Sequence, residues 1–222
     1  MSTHAPVEID RSRISELTER EAKCLDERTP GSRALYERAR KTLSGGVASS
    51  YQVREPWPIY LSHGRGPKVW DVDGNELLDF HNGFGSMVQG HAHPAITRAV
   101  TERIELGTHF AAPTEDAIVV AEELARRFGL PKWRYVNSGS EATMDAIRIA
   151  RGLTGRDTVV KIAGSYHGHH DGVMVAIGTQ LVELGEREDY ASVPYGAGVP
   201  KAVAGLTVPV PFNDAGAMAR RI

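Results

Sequence analysis

Two short stretches gather residue types that could hold a small, anionic, aromatic ligand. The first, VNSGSEATMDAIRIARG at 136–152, sets Ser138, Gly139 and Ser140 in front of a helical pattern. Ala142, Ala146, Ile149, Ala150 and Leu153 recur at intervals of three and four, and Glu141, Asp145 and Arg148 fall between them, as in an amphipathic helix. The turn therefore sits on a helix N-terminus, where the first backbone N–H groups lack an intrahelical partner and the dipole end is positive. Small residues there let an anion approach, which makes a phosphate cradle. Ser138 followed three positions later by Glu141 is equally a capping box, which satisfies such groups with no ligand. The stretch by itself leaves both readings open. The second, GSYHGHHDG at 164–172, presents Tyr166 and His167 between Gly164 and Gly168, on a loop that tolerates close approach. An aromatic pair presented in this way suits stacking on a planar ring, although Tyr166 could also simply cover a sheet end. A phosphate cradle beside an aromatic platform describes a site for a small phosphorylated aromatic ligand.

The histidines suggest a rival chemistry. HAH at 91–93 and HGHH at 167–170, followed by Asp171, are ligand-type clusters, and a metal-dependent hydrolase is the competing reading from another class. Against it, His91 shortly precedes Pro94 at a helix start, and the alternating glycines explain the second cluster as a loop.

The elements that must position these residues follow from periodicity. Residues 11–28 and 32–43 read as two amphipathic helices joined at Thr29-Pro30-Gly31, the second ended by Gly45-Gly46. KVWDVDGNELLDF reads as a β-hairpin around Asp73-Gly74. A helix opened by Pro94 carries Ile96, Val100 and Ile104 on one face, and another runs from Thr114 to Gly129. Beyond it strand and helix alternate: 133–137, the Ser138 helix, 158–164, then GVMVAIG and TVPV as buried strands. This pattern predicts an α/β fold with a mostly parallel sheet and helices on both faces, where ligands sit beyond the strands' carboxyl ends. FNDAGAMARRI predicts an N-cap at Asn213 or Asp214 and two turns of helix, and so few strands suggest the front part of a longer protein.

Composition narrows the partners. With 222 residues, 41% of them hydrophobic, the chain can bury a sizeable core. A formal net charge of -2 gives no footprint for nucleic acid or an anionic membrane. No apolar segment near the N-terminus resembles a signal peptide and no run is long enough to span a bilayer, so a cytoplasmic location is expected. The single cysteine, Cys24, excludes an intrachain disulfide.

YVNSGSEATMDAIRIARGLTGRDTVVKIAGSYHGHHDG closely resembles the pyridoxal-phosphate site of the class III aminotransferases, within them the glutamate-1-semialdehyde aminomutase branch. SGGV at 44–47, VWDVDGNELLDF, GHAHPAI at 90–96, APTE at 112–115 and PFND at 211–214 are similar to that branch in order and spacing. The resemblance implies a fold-type I transferase, with residues 1–90 as N-terminal helices and hairpin of a small domain and 91–222 as the first part of the large cofactor-binding domain. It implies pyridoxal 5′-phosphate held by Ser138, Gly139 and Ser140, with Tyr166 stacked on the pyridine ring and His167 beside it. It further implies a homodimer acting on an amino donor, either an amino acid or an amine, and an oxo acid or aldehyde acceptor.

Two departures qualify the resemblance. The family's imine-forming lysine and pyridinium aspartate are expected downstream of Ile222, so no catalytic residue is assigned within these residues. None of Lys23, Lys41, Lys68, Lys132, Lys161 and Lys201 fits the imine position, and the chain alone is expected to be an inactive fragment. By the same resemblance Ser49, Gln52 and Phe84 line the substrate pocket, with Gln52 where the aminomutase carries an arginine. Glutamine cannot form the charged fork that grips a carboxylate, so a transaminase is favoured over a strict aminomutase.

Overall fold

The structure, a computed structural model, describes residues 10–222; the reading of the first residues as free of a signal segment lies in part outside them. Contacts divide the chain into two units, Met1–Ala112 and Pro113–Ile222.

In the first unit α1 (Arg11–Arg28) is opened by Asp10, whose carboxylate accepts from the amides of Ser12 and Arg13. Pro30 begins α2 (Pro30–Ala39) at the junction the sequence predicts. Thr29 contributes no side-chain cap to α2. Asp73, from the hairpin, accepts instead from Gly31 N at 2.6 Å and Ser32 N at 3.0 Å. The hairpin forms from β2 (Lys68–Asp71) and β3 (Glu76–Leu78), and β1 (Leu61–Arg65) adds an antiparallel third strand. Its turn is organised by Asp71, 3% exposed, which accepts from the amides of Asp73 and Asn75 and from the Asn75 side chain. α3 (Pro94–Ile104) follows, and the predicted apolar face of Ile96, Val100 and Ile104 remains about half exposed.

In the second unit α4 (Glu115–Phe128) ends on left-handed Gly129, and α5 (Gly139–Thr154) on left-handed Gly155. β4 (Val159–Ile162) pairs in parallel with β5 (Thr207–Val210), register Val159 with Thr207 and Ile162 with Val210. Short helices α6 (Leu181–Leu184), α7 (Lys201–Ala204) and α8 (Ala215–Ala219) complete it. Asp214, not Asn213, caps α8 by accepting from Ala217 N. The core gathers Val175, Ala176, Leu184 and Ala204.

Two expected strands take other forms. Residues 133–137 form no strand: Tyr135 and Val136 are exposed, and a strand exists only through a ladder partner, which the described residues do not supply. Residues 172–178 are buried from Val173 to Ala176 as expected, but contribute one isolated bridge, Val175 with Pro194, because Ala176 turns to φ 51° and breaks the extended path.

Candidate active site

The helix start that could receive a phosphate is built by Ser138. Its backbone is extended, and its Oγ accepts from Glu141 N at 3.2 Å. Glu141 reaches back to accept from Ser138 N at 3.0 Å and Asn137 N at 2.6 Å. The capping box therefore forms, yet it engages only the amides of residues 137, 138 and 141. The N–H groups of Gly139 and Ser140 find no partner among the described residues. A Cβ built on Gly139 would meet nothing within 4 Å, so the space beside this residue is open. The two readings of the motif use different donors, so the capping box leaves the Gly139 and Ser140 amides free for the phosphate reading.

The loop that follows β4 is fastened to the same turn. Gly168 has φ 115°, and a Cβ there would lie 2.7 Å from Ser140 Cα and 3.0 Å from Thr143 Oγ1. Only glycine permits this approach. It lets His169 N donate to Ser140 Oγ at 2.9 Å and Thr143 Oγ1 donate to the His167 carbonyl at 2.6 Å. Ser138, Gly139, Ser140 and the Tyr166-His167 loop are thus brought together, with Tyr166 62% exposed. His167 Nε2 lies 2.9 Å from Ser165 Oγ, which orients its ring. His170, 3.3 Å from Thr143 Oγ1, is held below its ordinary pKa chiefly by burial. Sequence reasoning missed Thr143; the glycine spacing announced a close approach but not its partner.

Lys161 lies in mid-strand, 4% exposed, and donates from Nζ to the Val175 carbonyl at 2.7 Å. Burial pulls its pKa down to about 8. Its ammonium is tied into the core of the unit.

The predicted substrate-pocket residues lie in the first unit. Ser49 and Gln52 close a one-turn capping box, Gln52 Oε1 accepting from Ser49 N at 3.1 Å. Phe84, 72% exposed, stands on a turn whose four residues Asn82, Gly83, Phe84 and Gly85 all have positive φ. Its ring packs edge-on against Tyr51 at 4.7 Å and His81 at 4.3 Å. Tyr51 thereby carries the Ser49–Gln52 segment to Phe84, and the Arg54 guanidinium lies 5.4 Å over the Tyr51 ring. Tyr51 and His81 are further residues that sequence reasoning did not single out; adjacency to Gln52 was the available signal for Tyr51.

The histidine clusters assemble no metal centre: among the described residues no group of three or more His, Cys, Asp or Glu is placed to hold a metal ion. His91 instead pairs with Asp79 at 2.7 Å.

Comparison with known proteins sets this geometry in a family. Residues 50–199 match the class-III aminotransferases. The chain is 42% identical over 188 residues to a glutamate-1-semialdehyde 2,1-aminomutase of Methanothrix thermoacetophila, covering 84% of this chain and 42% of that protein. An omega-transaminase structure from Sphaerobacter thermophilus is similar at TM-score 0.82 and 40% identity, over 87% of this chain and 44% of that one. A glutamate-1-semialdehyde-aminomutase structure from Pseudomonas aeruginosa is similar at TM-score 0.82 and 32% identity, over 96% and 46% respectively. The chain spans less than half the length of these relatives. The α/β chain with its parallel strands has the fold of fold-type I transaminases. It belongs to the class III aminotransferases, a family that uses pyridoxal 5′-phosphate.

Proposed function

We propose that this chain is the phosphate-holding and substrate-wall portion of a pyridoxal-phosphate-dependent aminotransferase, which moves an amino group between an amino acid or amine and an oxo acid or aldehyde. One observation carries the reading: among the described residues the Gly139 and Ser140 amides at the N-terminus of α5 have no partner, a Cβ on Gly139 would meet nothing within 4 Å, and an aromatic loop is bonded to the same helical turn. These residues fit the cofactor. The Gly139 and Ser140 amides and the Ser138 hydroxyl would take the phosphate, Tyr166 the ring face, and His167 a place beside it. Bound there, the cofactor would supply the electron sink that amino transfer requires. The chain's own part is to bind and orient it.

An aminomutase is the second reading, favoured by the names of the similar proteins. Gln52 weighs against it, since a neutral carboxamide whose oxygen accepts from Ser49 N makes no charged fork for a carboxylate. The proposal includes the division into a small-domain part at 1–90 and a large-domain part at 91–222. It also includes a homodimer in the cytoplasm, consistent with the exposed apolar faces of α3 and α4 and with helices none of which, among the described residues, is long and apolar enough to cross a membrane.

The test uses the full-length protein, in which a visible absorbance band should be bleached by an amino donor. A colourless protein with no donor-dependent change would overturn the proposal. Turnover with amine donors but not with glutamate-1-semialdehyde separates the transaminase from the aminomutase. Residues 1–222 expressed alone should show no turnover above free cofactor, since positioned general-base catalysis is worth about 10²–10⁴-fold and no lysine here is placed to supply it.

A further inference from the structure

The turn that presents Phe84 is an unfavourable one. Asn82 and Phe84 have φ 54° and 59°, a region that L residues other than glycine occupy at a cost of about 1–3 kcal/mol each. Something must hold it, and the atoms that do so form a continuous chain. Asp79 Oδ1 accepts from His81 N at 3.0 Å and Asn82 N at 2.8 Å, which fixes the entry to the turn. Its other oxygen, Oδ2, is 2.7 Å from His91 Nε2. An ionised carboxylate only accepts, so this imidazole nitrogen carries the proton and donates. His91 is fixed in turn by the tip of the β1–β2 hairpin: Gly66 N donates to the His91 carbonyl at 2.9 Å and His91 N to the Gly66 carbonyl at 2.8 Å. The fit there is close. A Cβ on Gly64 would stand 2.6 Å from His91 Cγ, and one on Gly90 would stand 3.1 Å from the Gly66 backbone. Asp79 N also donates to Pro67 O at 2.9 Å.

We infer that Asp79 and His91 are positioning residues for the Phe84 wall, linking the β1–β2 hairpin tip to the strained turn and so setting which amino donors the pocket accepts. The inference rests on the proposed role of Phe84 in the substrate pocket. His91 touches neither substrate nor cofactor in this role and acts through Asp79. Removing the imidazole frees Oδ2, lets the carboxylate turn away from the amides of residues 81 and 82, and releases the turn toward ordinary φ values. Displacement of a wall by about 1 Å is enough to change rates by up to about 10²-fold for a substrate that touches it.

The experiment labels the full-length protein with 4-fluorophenylalanine and assigns the Phe84 resonance by its loss in Phe84→Leu. His91→Ala should move and broaden that resonance, and His91→Gln, whose amide can still donate to Asp79, should restore it. His91→Asn, one methylene shorter, should behave like the alanine variant and serves if His91→Ala does not fold. In turnover, the ratio of kcat/KM for a bulky aromatic amine to that for a small aliphatic amine should change about tenfold or more in His91→Ala and recover in His91→Gln. A Phe84 resonance unmoved in folded His91→Ala and His91→Asn overturns the inference. Failure of both variants to fold also overturns it, because His91 would then support the unit as a whole. The fluorine signal needs no activity: a moved resonance in a protein without transaminase activity upholds the positioning chain while refuting the proposed function.

Discussion

The two units build their candidate sites from different material. In the second, the proposed phosphate end is made of backbone: two amides of α5, and a loop admitted to the first helical turn because Gly168 has no side chain. In the first, the proposed substrate wall is made of side chains, Phe84 with Tyr51 and His81, on a turn where two non-glycine residues hold positive φ. A phosphate is the same in every reaction the family performs, and backbone donors suit it because they vary least with sequence. A substrate differs between relatives, and side chains are what substitution can vary. The buried charges differ as well. Asp71 in the first unit is supplied with three donors. Lys161 in the second has one carbonyl acceptor and no carboxylate.

The sharpest way to break this contrast is Gly168→Val. A side chain there would press on the Ser140 backbone and occupy φ 115°, so about 3–5 kcal/mol of stability should be lost together with cofactor retention, read by urea unfolding and visible absorbance of the full-length protein. Undiminished cofactor binding would refute the idea that close backbone approach builds the phosphate end.

Lys161→Met tests the second unit's buried charge. The folded-state pKa of about 8 lies below the ordinary 10.5, so the unfolded chain binds more protons between those values. The destabilisation is fully present below about pH 8 and relieved as pH rises toward 10.5, a gain of about 3 kcal/mol across the window. Urea midpoints of the parent should climb through that range relative to Lys161→Met. Parallel curves would show that Lys161 is not desolvated.

Asn82→Ala probes the first unit. Alanine tolerates φ 54° less well than asparagine, so a loss of about 1 kcal/mol is expected, with a shift in amine preference but unchanged cofactor affinity. Weakened cofactor binding would contradict the assignment of this turn to the substrate wall.

The smallest change in stability belongs to Gly139→Ala, within about 0.5 kcal/mol, since the new Cβ meets nothing and the residue is helical. Cofactor titration should nevertheless show weaker binding, because that Cβ enters the space left for a phosphate. Equal affinity would empty the cradle of its purpose.

What sequence alone discloses here follows the reach of each interaction. Helices α1 to α5 were legible because apolar spacing and caps such as Ser138 and Gly129 are local. The core strands β4 and β5 were legible from their apolar composition. Residues 133–137 misled because Tyr135 and Val136 show that a segment suits a sheet but not whether a partner lies beside it. Burial of 173–176 was readable, whereas the φ 51° at Ala176 that ends the ladder was not. In the site, Ser138 and Gly168 were readable from type and spacing. Thr143, Tyr51 and the Asp79–His91 pair depend on contacts across the chain, which no local period records, and His81 meets Phe84 only because the intervening turn takes positive φ.

One carboxylate carries a lesson for protein engineering. Asp73 sits at a hairpin tip, ordinarily the place where a tag or foreign peptide is inserted without harm. Its oxygens, however, take the first amides of α2, those of Gly31 and Ser32, 42 and 41 residues upstream. A peptide spliced between Val72 and Asn75 should therefore unwind the start of α2 as well as lengthen a turn. The exposed Gly196–Gly198 loop, where added atoms would meet nothing within 4 Å, is the better place to graft an epitope or a fluorescent reporter.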